Sequence, residues 1–91
     1  MSNAHGTFLV KNKLGLHARA AAKLAQVASR YACDVSVGHG DQSVNAKSVM
    51  GLLLLCGAKG TELSIDAAGE GSEDAVRAIG DLIDARFGEE E

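Results

Sequence analysis

The chain is predicted to be an α+β open-faced sandwich, in which three helices cover one face of a four-stranded antiparallel sheet in the order βαββαβα. Two kinds of segment support this fold class: runs in which apolar and polar residues alternate, as in half-buried strands, and runs in which apolar residues recur at helical spacing. The 91 residues predict one domain, because a chain of this length buries one hydrophobic core but not two.

The four strands are predicted from β-rich composition and from alternation. Val35 and Val37 alternate with polar residues, and a glycine-rich turn at 38–41 joins them to a returning strand as a hairpin. The predicted strands are Thr7–Lys11, Asp34–Val37, Gln42–Ala46 and Glu62–Ala67.

The three helices are predicted from periodicity and from capping residues. Ser48 and Ser72 are suited to N-caps, and Gly57 is suited to the position after a helix end. The predicted helices are Ala18–Tyr31, the segment between Ser48 and Gly57, and the segment from Ser72 to Phe87. Apolar residues cover nearly every face of the short second helix, so part of it is expected to be an exposed patch suited to a partner.

Composition argues against several classes of function. The net charge of −3 and the scarcity of aromatic residues argue against nucleic-acid binding. No apolar run approaches the roughly 20 residues of a membrane span, and no secretory signal is visible, so a cytoplasmic location is expected. Cys33 and Cys56 are predicted to be reduced and buried, and the histidines lack metal-ligand spacing. Neither a metal nor a cofactor is therefore expected.

The chain ends are predicted to lie outside the folded domain. Residues 1–4 are interpreted as a remnant of recombinant expression, residues 5–88 as the single domain, and residues 89–91 as a frayed acidic tail without a function.

The stretch Gly15–Ala21 contains the residues best suited to chemistry. His17 is predicted to lie where a polar turn meets the first helix, beside the free N–H groups of the first turn, including those of Ala18 and Ala20, and the positive end of the helix dipole. Arg19 adds a guanidinium that can bind phosphate. On spacing alone, two interpretations stay open: a simple helix cap, or a nucleophilic nitrogen beside an anion site.

The order of elements, together with the motifs Gly15–Arg19 and Ala46–Gly51, resembles HPr, the histidine-containing phosphocarrier of the bacterial phosphoenolpyruvate-dependent sugar phosphotransferase system. The resemblance extends from about Thr7 to Phe87. It implies a carrier rather than an enzyme, with His17 accepting phosphate on Nδ1 from Enzyme I and passing it to an Enzyme IIA. Arg19 would balance the charge of the phosphoryl group.

The second motif implies regulation and docking. By resemblance, Ser48 matches a site phosphorylated by a dedicated serine kinase in some bacteria, although for Ser48 alone a plain N-cap is the preferred interpretation. The residues expected to contact partners are Val49, Met50, Leu53 and Leu54. A monomer is expected, because a small carrier must visit two partners.

The sequence departs from the family pattern at Ala20, where the family usually has proline, and the chain contains no proline. Alanine restores a backbone donor but leaves the segment less rigid.

Two alternative functions are a regulatory, nitrogen-type carrier of the same family and a protein-binding module on the same fold that is never phosphorylated.

Overall fold

The computed structural model describes residues 2–91, which form four strands, three α-helices and a short terminal turn. The strands are β1 (Asn3–Leu9), β2 (Asp34–His39), β3 (Gln42–Asn45) and β4 (Glu62–Ala68). The helices are α1 (Ala18–Ala28), α2 (Val49–Leu54) and α3 (Ser72–Asp84), and a 3₁₀ turn spans Arg86–Gly88.

The strands form a single antiparallel sheet in the order β1-β4-β2-β3. β4 lies between β1 and β2, with Leu63 opposite Phe8 and Ile65 opposite Val37. β2 and β3 form the predicted hairpin. The predicted fold class is confirmed: α1 separates β1 from β2, and α2 separates β3 from β4, so strands that are consecutive across a helix are not neighbours in the sheet.

One face of the sheet is buried beneath the helices and the other is open. In β4, Leu63, Ile65 and Ala67 are buried, while Glu62 and Asp66 are exposed on the other face, as the alternation of a strand requires. The largest fully buried apolar side chains in residues 2–91 are Phe87, Leu24, Leu52, Leu63, Ile65, Ile79 and Ile83.

The first strand begins earlier than the sequence predicted. Asn3 pairs with Ala68 and Ala4 with Ala67, and the Gly69 N–H donates to the Ser2 carbonyl at 2.8 Å. Asn3 and Ala4 are therefore part of the sheet, and the prediction that residues 1–4 lie outside the fold is wrong for these two. Met1 lies outside the described residues.

Several helix ends also differ from the predictions. α1 ends at Ala28 rather than Tyr31. The left-handed residue after α2 is Cys56, with φ 53°, and not Gly57. Cys33 is buried as predicted, but the prediction that Cys56 is buried is wrong, because its side chain is exposed. α3 is preceded by Gly71 in a left-handed conformation, so Ser72 is its first residue instead of its cap. These shifts of one to three residues leave every predicted helix in place.

Candidate functional site

Gly15 fixes the turn that leads into α1. Its φ is +68°, and a Cβ atom there would lie 2.4 Å from the carbonyl oxygen of Gly57, so only glycine fits. The same Gly57 carbonyl accepts the Leu16 N–H at 2.7 Å. The turn is thereby tied to the segment after α2, and His17 is held at the start of α1.

His17 is the N-cap residue of α1, with extended backbone (φ −77°, ψ 178°), and its side chain makes no capping hydrogen bond. The first helical bond runs from the Ala21 N–H to the His17 carbonyl at 2.8 Å. The N–H groups of Ala18, Arg19 and Ala20 therefore have no partner within the helix and form its positive end. The Arg19 side chain is exposed beside them, whereas the Ala20 methyl group is buried.

The Nε2 atom of His17 is paired with the carboxylate of Glu89, 72 residues further along the chain. The pair is partly buried, with 26% of the His17 side chain and 14% of the Glu89 side chain exposed. Asn12 Nδ2 donates to Glu89 Oε1 at 2.9 Å and to the Gly15 carbonyl at 2.7 Å. The expectation that residues 89–91 form a frayed tail is therefore wrong.

These contacts favour the ionised carboxylate. Hydrogen bonds from Asn12 and then from His17 hold the pKa of the Glu89 carboxyl below its usual value of 4.5, and they outweigh the opposing effect of desolvation. The positive charge of Arg19, and that of His17 when its ring is protonated, lower the pKa of Glu89 further. Glu89 is thus a fixed negative charge beside the imidazole.

A reversal of the chain after α3 brings Glu89 to this position. Arg86, Phe87 and Gly88 all have left-handed backbone, with φ of 58°, 55° and 81°, which is uncommon for the two residues that carry a Cβ. Phe87 is fully buried, and its carbonyl accepts a hydrogen bond from Lys23 Nζ at 2.7 Å. Buried apolar area and this hydrogen bond hold the turn in its unfavourable conformation.

The last residue of the chain is also attached to the turn before α1. The Lys13 N–H donates to the Glu91 carbonyl oxygen at 2.9 Å, and Lys13 Nζ lies 3.8 Å from the Glu91 carboxylate. The sequence predicted that His17 and Arg19 lie together at the start of α1, but it did not predict that Asn12 and Glu89 contact this region. The acidic run after the last apolar residue was visible in the sequence, but no local pattern indicates a contact over such a separation.

α2 forms a second surface. Its N-cap is Ser48, whose Oγ accepts the Gly51 N–H at 3.0 Å. Leu52 and Leu55 are buried in the core. The four residues that remain exposed form what we call the α2 patch: Val49 (37% exposed), Met50 (73%), Leu53 (36%) and Leu54 (72%).

A shallow groove along α1 is lined by Arg19 and Lys23, and Val49 of the α2 patch closes one side of it. In residues 2–91, no group of three or more His, Cys, Asp or Glu side chains is placed to hold a metal ion. None of the described helices has the length and apolar character needed to cross a bilayer.

The fold and the site thus define a small open-faced sandwich that presents one histidine at a helix N-terminus, next to an arginine. A family model described as "PTS HPr component phosphorylation site" matches residues 4–85. The chain belongs to the HPr family of phosphocarrier proteins, which carry a phosphoryl group and are not enzymes.

Individual relatives agree with this assignment. Phosphocarrier protein HPr of Neisseria meningitidis is 49% identical over 80 residues, covering 88% of this chain and 90% of the relative. Phosphocarrier protein NPr of Shewanella violacea is 42% identical over 78 residues, covering 86% of each. Among solved structures of Thermoanaerobacter tengcongensis HPr, one has a TM-score of 0.93 at 41% identity, covering 97% of this chain and 99% of that chain. Another, described as an HPr dimer, has a TM-score of 0.77 at 42% identity, covering 88% and 92%.

Proposed function

We propose that this protein accepts a phosphoryl group from Enzyme I on Nδ1 of His17 and passes it to an Enzyme IIA of the sugar phosphotransferase system. The observation that carries the proposal is the position of His17 at the N-terminus of α1, where the unpaired N–H groups of the first turn and the exposed Arg19 follow it directly in the chain. Such a site suits a group that is anionic before, during and after transfer.

The transfer requires two displacement steps at phosphorus. In the first, the Nδ1 lone pair forms a bond to phosphorus while the bond to the donor breaks, and its electron pair leaves with the donor. In the second, a nucleophile of the next protein attacks phosphorus, and the electron pair of the P–N bond returns to Nδ1. Because the transition state asks mainly for positioning and charge stabilisation, the helix N–H groups and Arg19 supply what the reaction needs.

The α2 patch is proposed as the docking surface for both partners. Met50 and Leu54 are each more than two-thirds exposed, which is unusual for large apolar side chains that lie next to one another. The groove lined by both Val49 and Arg19 supports this role, because it joins one residue of the α2 patch to a residue next to His17 in the chain. A partner that covers the patch can thus reach His17 and exclude water.

Ser48 is proposed as a regulatory phosphorylation site for a serine kinase. Its hydroxyl lies at the start of the α2 patch and accepts a hydrogen bond from Gly51. A phosphate there would favour the helix N-terminus but would place charge at the edge of an apolar docking surface.

A second candidate is the regulatory, nitrogen-type branch of the family, in which the phosphorylation state acts as a signal. The similarity to an NPr protein supports this second candidate. Comparison of phosphate transfer to a sugar-specific Enzyme IIA with transfer to a nitrogen-type Enzyme IIA distinguishes the two branches. A protein-binding module that is never phosphorylated is a weaker alternative, because His17 and Arg19 are both present. The monomeric state and the cytoplasmic location stay predictions.

The proposal is tested by incubation with Enzyme I and phosphoenolpyruvate, followed by measurement of the intact mass. We expect one added phosphate that is lost in acid, as a phosphoramidate would be, and no addition to His17→Ala. The His39→Ala variant is the matched control, since His39 is an exposed histidine at the end of β2. An unmodified wild-type protein in the presence of active cognate Enzyme I would refute the carrier function.

A further inference from the structure

We propose that Asn12 and Glu89 are positioning residues for His17: Asn12 fixes the Glu89 carboxylate, and that carboxylate holds the proton on Nε2, so that Nδ1 is the free nucleophilic nitrogen. The inference rests on the proposed phosphocarrier function, since it assigns how that site selects one of its two ring nitrogens. It extends the site to two residues that lie outside the Gly15–Ala21 motif.

The first step follows from hydrogen-bonding chemistry. An ionised carboxylate only accepts hydrogen bonds, so the ring nitrogen that contacts Glu89 must be the donor. In a neutral imidazole, a proton on Nε2 leaves the lone pair on Nδ1. His17 pairs with Glu89 through Nε2, and its side chain makes no capping bond to the helix. The tautomer that attacks phosphorus from Nδ1 is therefore the one that this contact selects.

The same contact also stabilises the phosphorylated ring. When Nδ1 bonds to phosphorus, its lone pair is used, Nε2 keeps its proton and the ring acquires positive charge. The Glu89 carboxylate, of which only 14% of the side chain is exposed, is then an adjacent counter-charge in a poorly solvated position. Nothing enters or leaves in this step apart from the phosphoryl group.

Asn12 makes the position of the carboxylate specific. Its side chain is fully buried, and its Nδ2 group donates one hydrogen bond to Gly15 and one to Glu89. The first bond holds the turn that presents His17, and the second holds the carboxylate that contacts the ring. One amide group thus fixes both the imidazole and its partner, as an orienting group does in other histidine sites.

The segment that carries Glu89 is itself anchored on both sides. Phe87 is buried in the core two residues before it, and the Glu91 carbonyl accepts the Lys13 N–H two residues after it. Glu90, between these anchors, is exposed. The tail therefore supplies one acidic residue directed to His17 and a neighbouring one that serves as its control.

The experiment compares Glu89→Ala with Glu90→Ala, which remove the same charge from adjacent residues. The first readout is ¹⁵N NMR of the unphosphorylated protein, which shows the protonated ring nitrogen of His17 and how fast that proton exchanges with water. We expect a protected Nε2–H in wild type and Glu90→Ala. In Glu89→Ala we expect loss of this protection and an increased population of the Nδ1–H tautomer.

The second readout is the rate of phosphoryl transfer from phosphorylated Enzyme I. We expect a fall of about ten- to a hundredfold for Glu89→Ala, and a rate within about twofold of wild type for Glu90→Ala. Asn12→Ala should shift the His17 signal in the same direction. If Asn12→Ala does not fold, because Asn12 is buried, Glu89→Ala is sufficient to test the proposal. An unprotected ring proton in wild type, or an unchanged signal and rate in Glu89→Ala, would overturn the proposal.

The two readouts separate this inference from the function on which it rests. The NMR measurement requires no phosphate, so it can refute the positioning role even if the protein is a carrier. If wild type is not phosphorylated but Glu89 controls the tautomer, the carrier function fails while the structural assignment stands.

Discussion

Arg19 is the residue whose contribution can be isolated most cleanly. It is exposed and lies in the first turn of α1. We expect Arg19→Ala to slow phosphoryl transfer by about ten- to a hundredfold, the equivalent of one charge-assisted hydrogen bond to phosphate. Stability should change by less than about 0.5 kcal/mol. Stopped-flow transfer kinetics and urea unfolding measure the two quantities.

The matched control for Arg19→Ala is Arg30→Ala, which removes the same charge from an exposed arginine just beyond the other end of α1. If the rate of phosphoryl transfer falls by the same factor in both variants, the effect comes from the net charge of the protein, and a local role of Arg19 is contradicted. If Arg19→Ala unfolds more readily than Arg30→Ala, its slower transfer reflects damage to the fold.

The residues of the site differ in how far the sequence could reveal them. The placement of His17 and Arg19 at the helix start was predictable because the turn, the helix start and the basic residue follow one another within a few positions. The placement of Asn12 and Glu89 was not, because it comes from a contact between residues 77 positions apart in the chain. A buried asparagine before a glycine turn looks, in sequence, like an ordinary turn residue.

Among the elements, α2 combines structural and surface roles within six residues. Leu52 is buried in the core, whereas Met50 and Leu54 are exposed. The sequence predicted this division, since a short helix that is apolar on every side cannot bury all of them. It did not predict that Cys56 takes the left-handed position at the helix end, because glycine is the preferred residue there and Gly57 was available one position later.

Ser48 can be tested without disturbing the helix that it caps. Aspartate and asparagine cap helices about equally well, so Ser48→Asp and Ser48→Asn should both fold, and they differ only in charge. We expect Ser48→Asp to bind Enzyme I about tenfold more weakly, because it places charge beside the α2 patch, as phosphoserine would. Calorimetric titration measures both affinities.

Ser48→Asn should bind Enzyme I with the affinity of wild type. Wild-type affinity in both the Asp and the Asn variant would show that charge at this position does not affect docking, and regulation through Ser48 would lose its physical basis. Equal weakening of both would indicate that the hydroxyl itself contacts the partner.

For the whole molecule, the sequence predicted the fold class because each strand and helix has its own periodicity and because βαββαβα with three apolar helix faces has few packing solutions. The ends of the chain escaped prediction. Asn3 and Ala4 join the sheet by backbone pairing with β4, which depends on register and hardly on side-chain type. Residues 89–91 are polar and read as solvated, although they return to the turn before α1.

The contact between residues 89–91 and the turn before α1 should depend on pH through Glu89. Because the pKa of Glu89 in the folded protein lies below its usual value of 4.5, its ionised form stabilises the native state. The stabilisation by ionised Glu89 is therefore fully present above about pH 4.5, and it is lost as pH falls through the lowered pKa. We expect wild type to be more stable than Glu89→Gln at neutral pH and the difference to shrink in acid, measured by urea unfolding at a series of pH values. Glu90→Gln should show no such pH-dependent difference. If the difference in free energy of unfolding between wild type and Glu89→Gln stays constant from neutral pH to about pH 3, the ionised Glu89 carboxylate does not stabilise the position of residues 89–91.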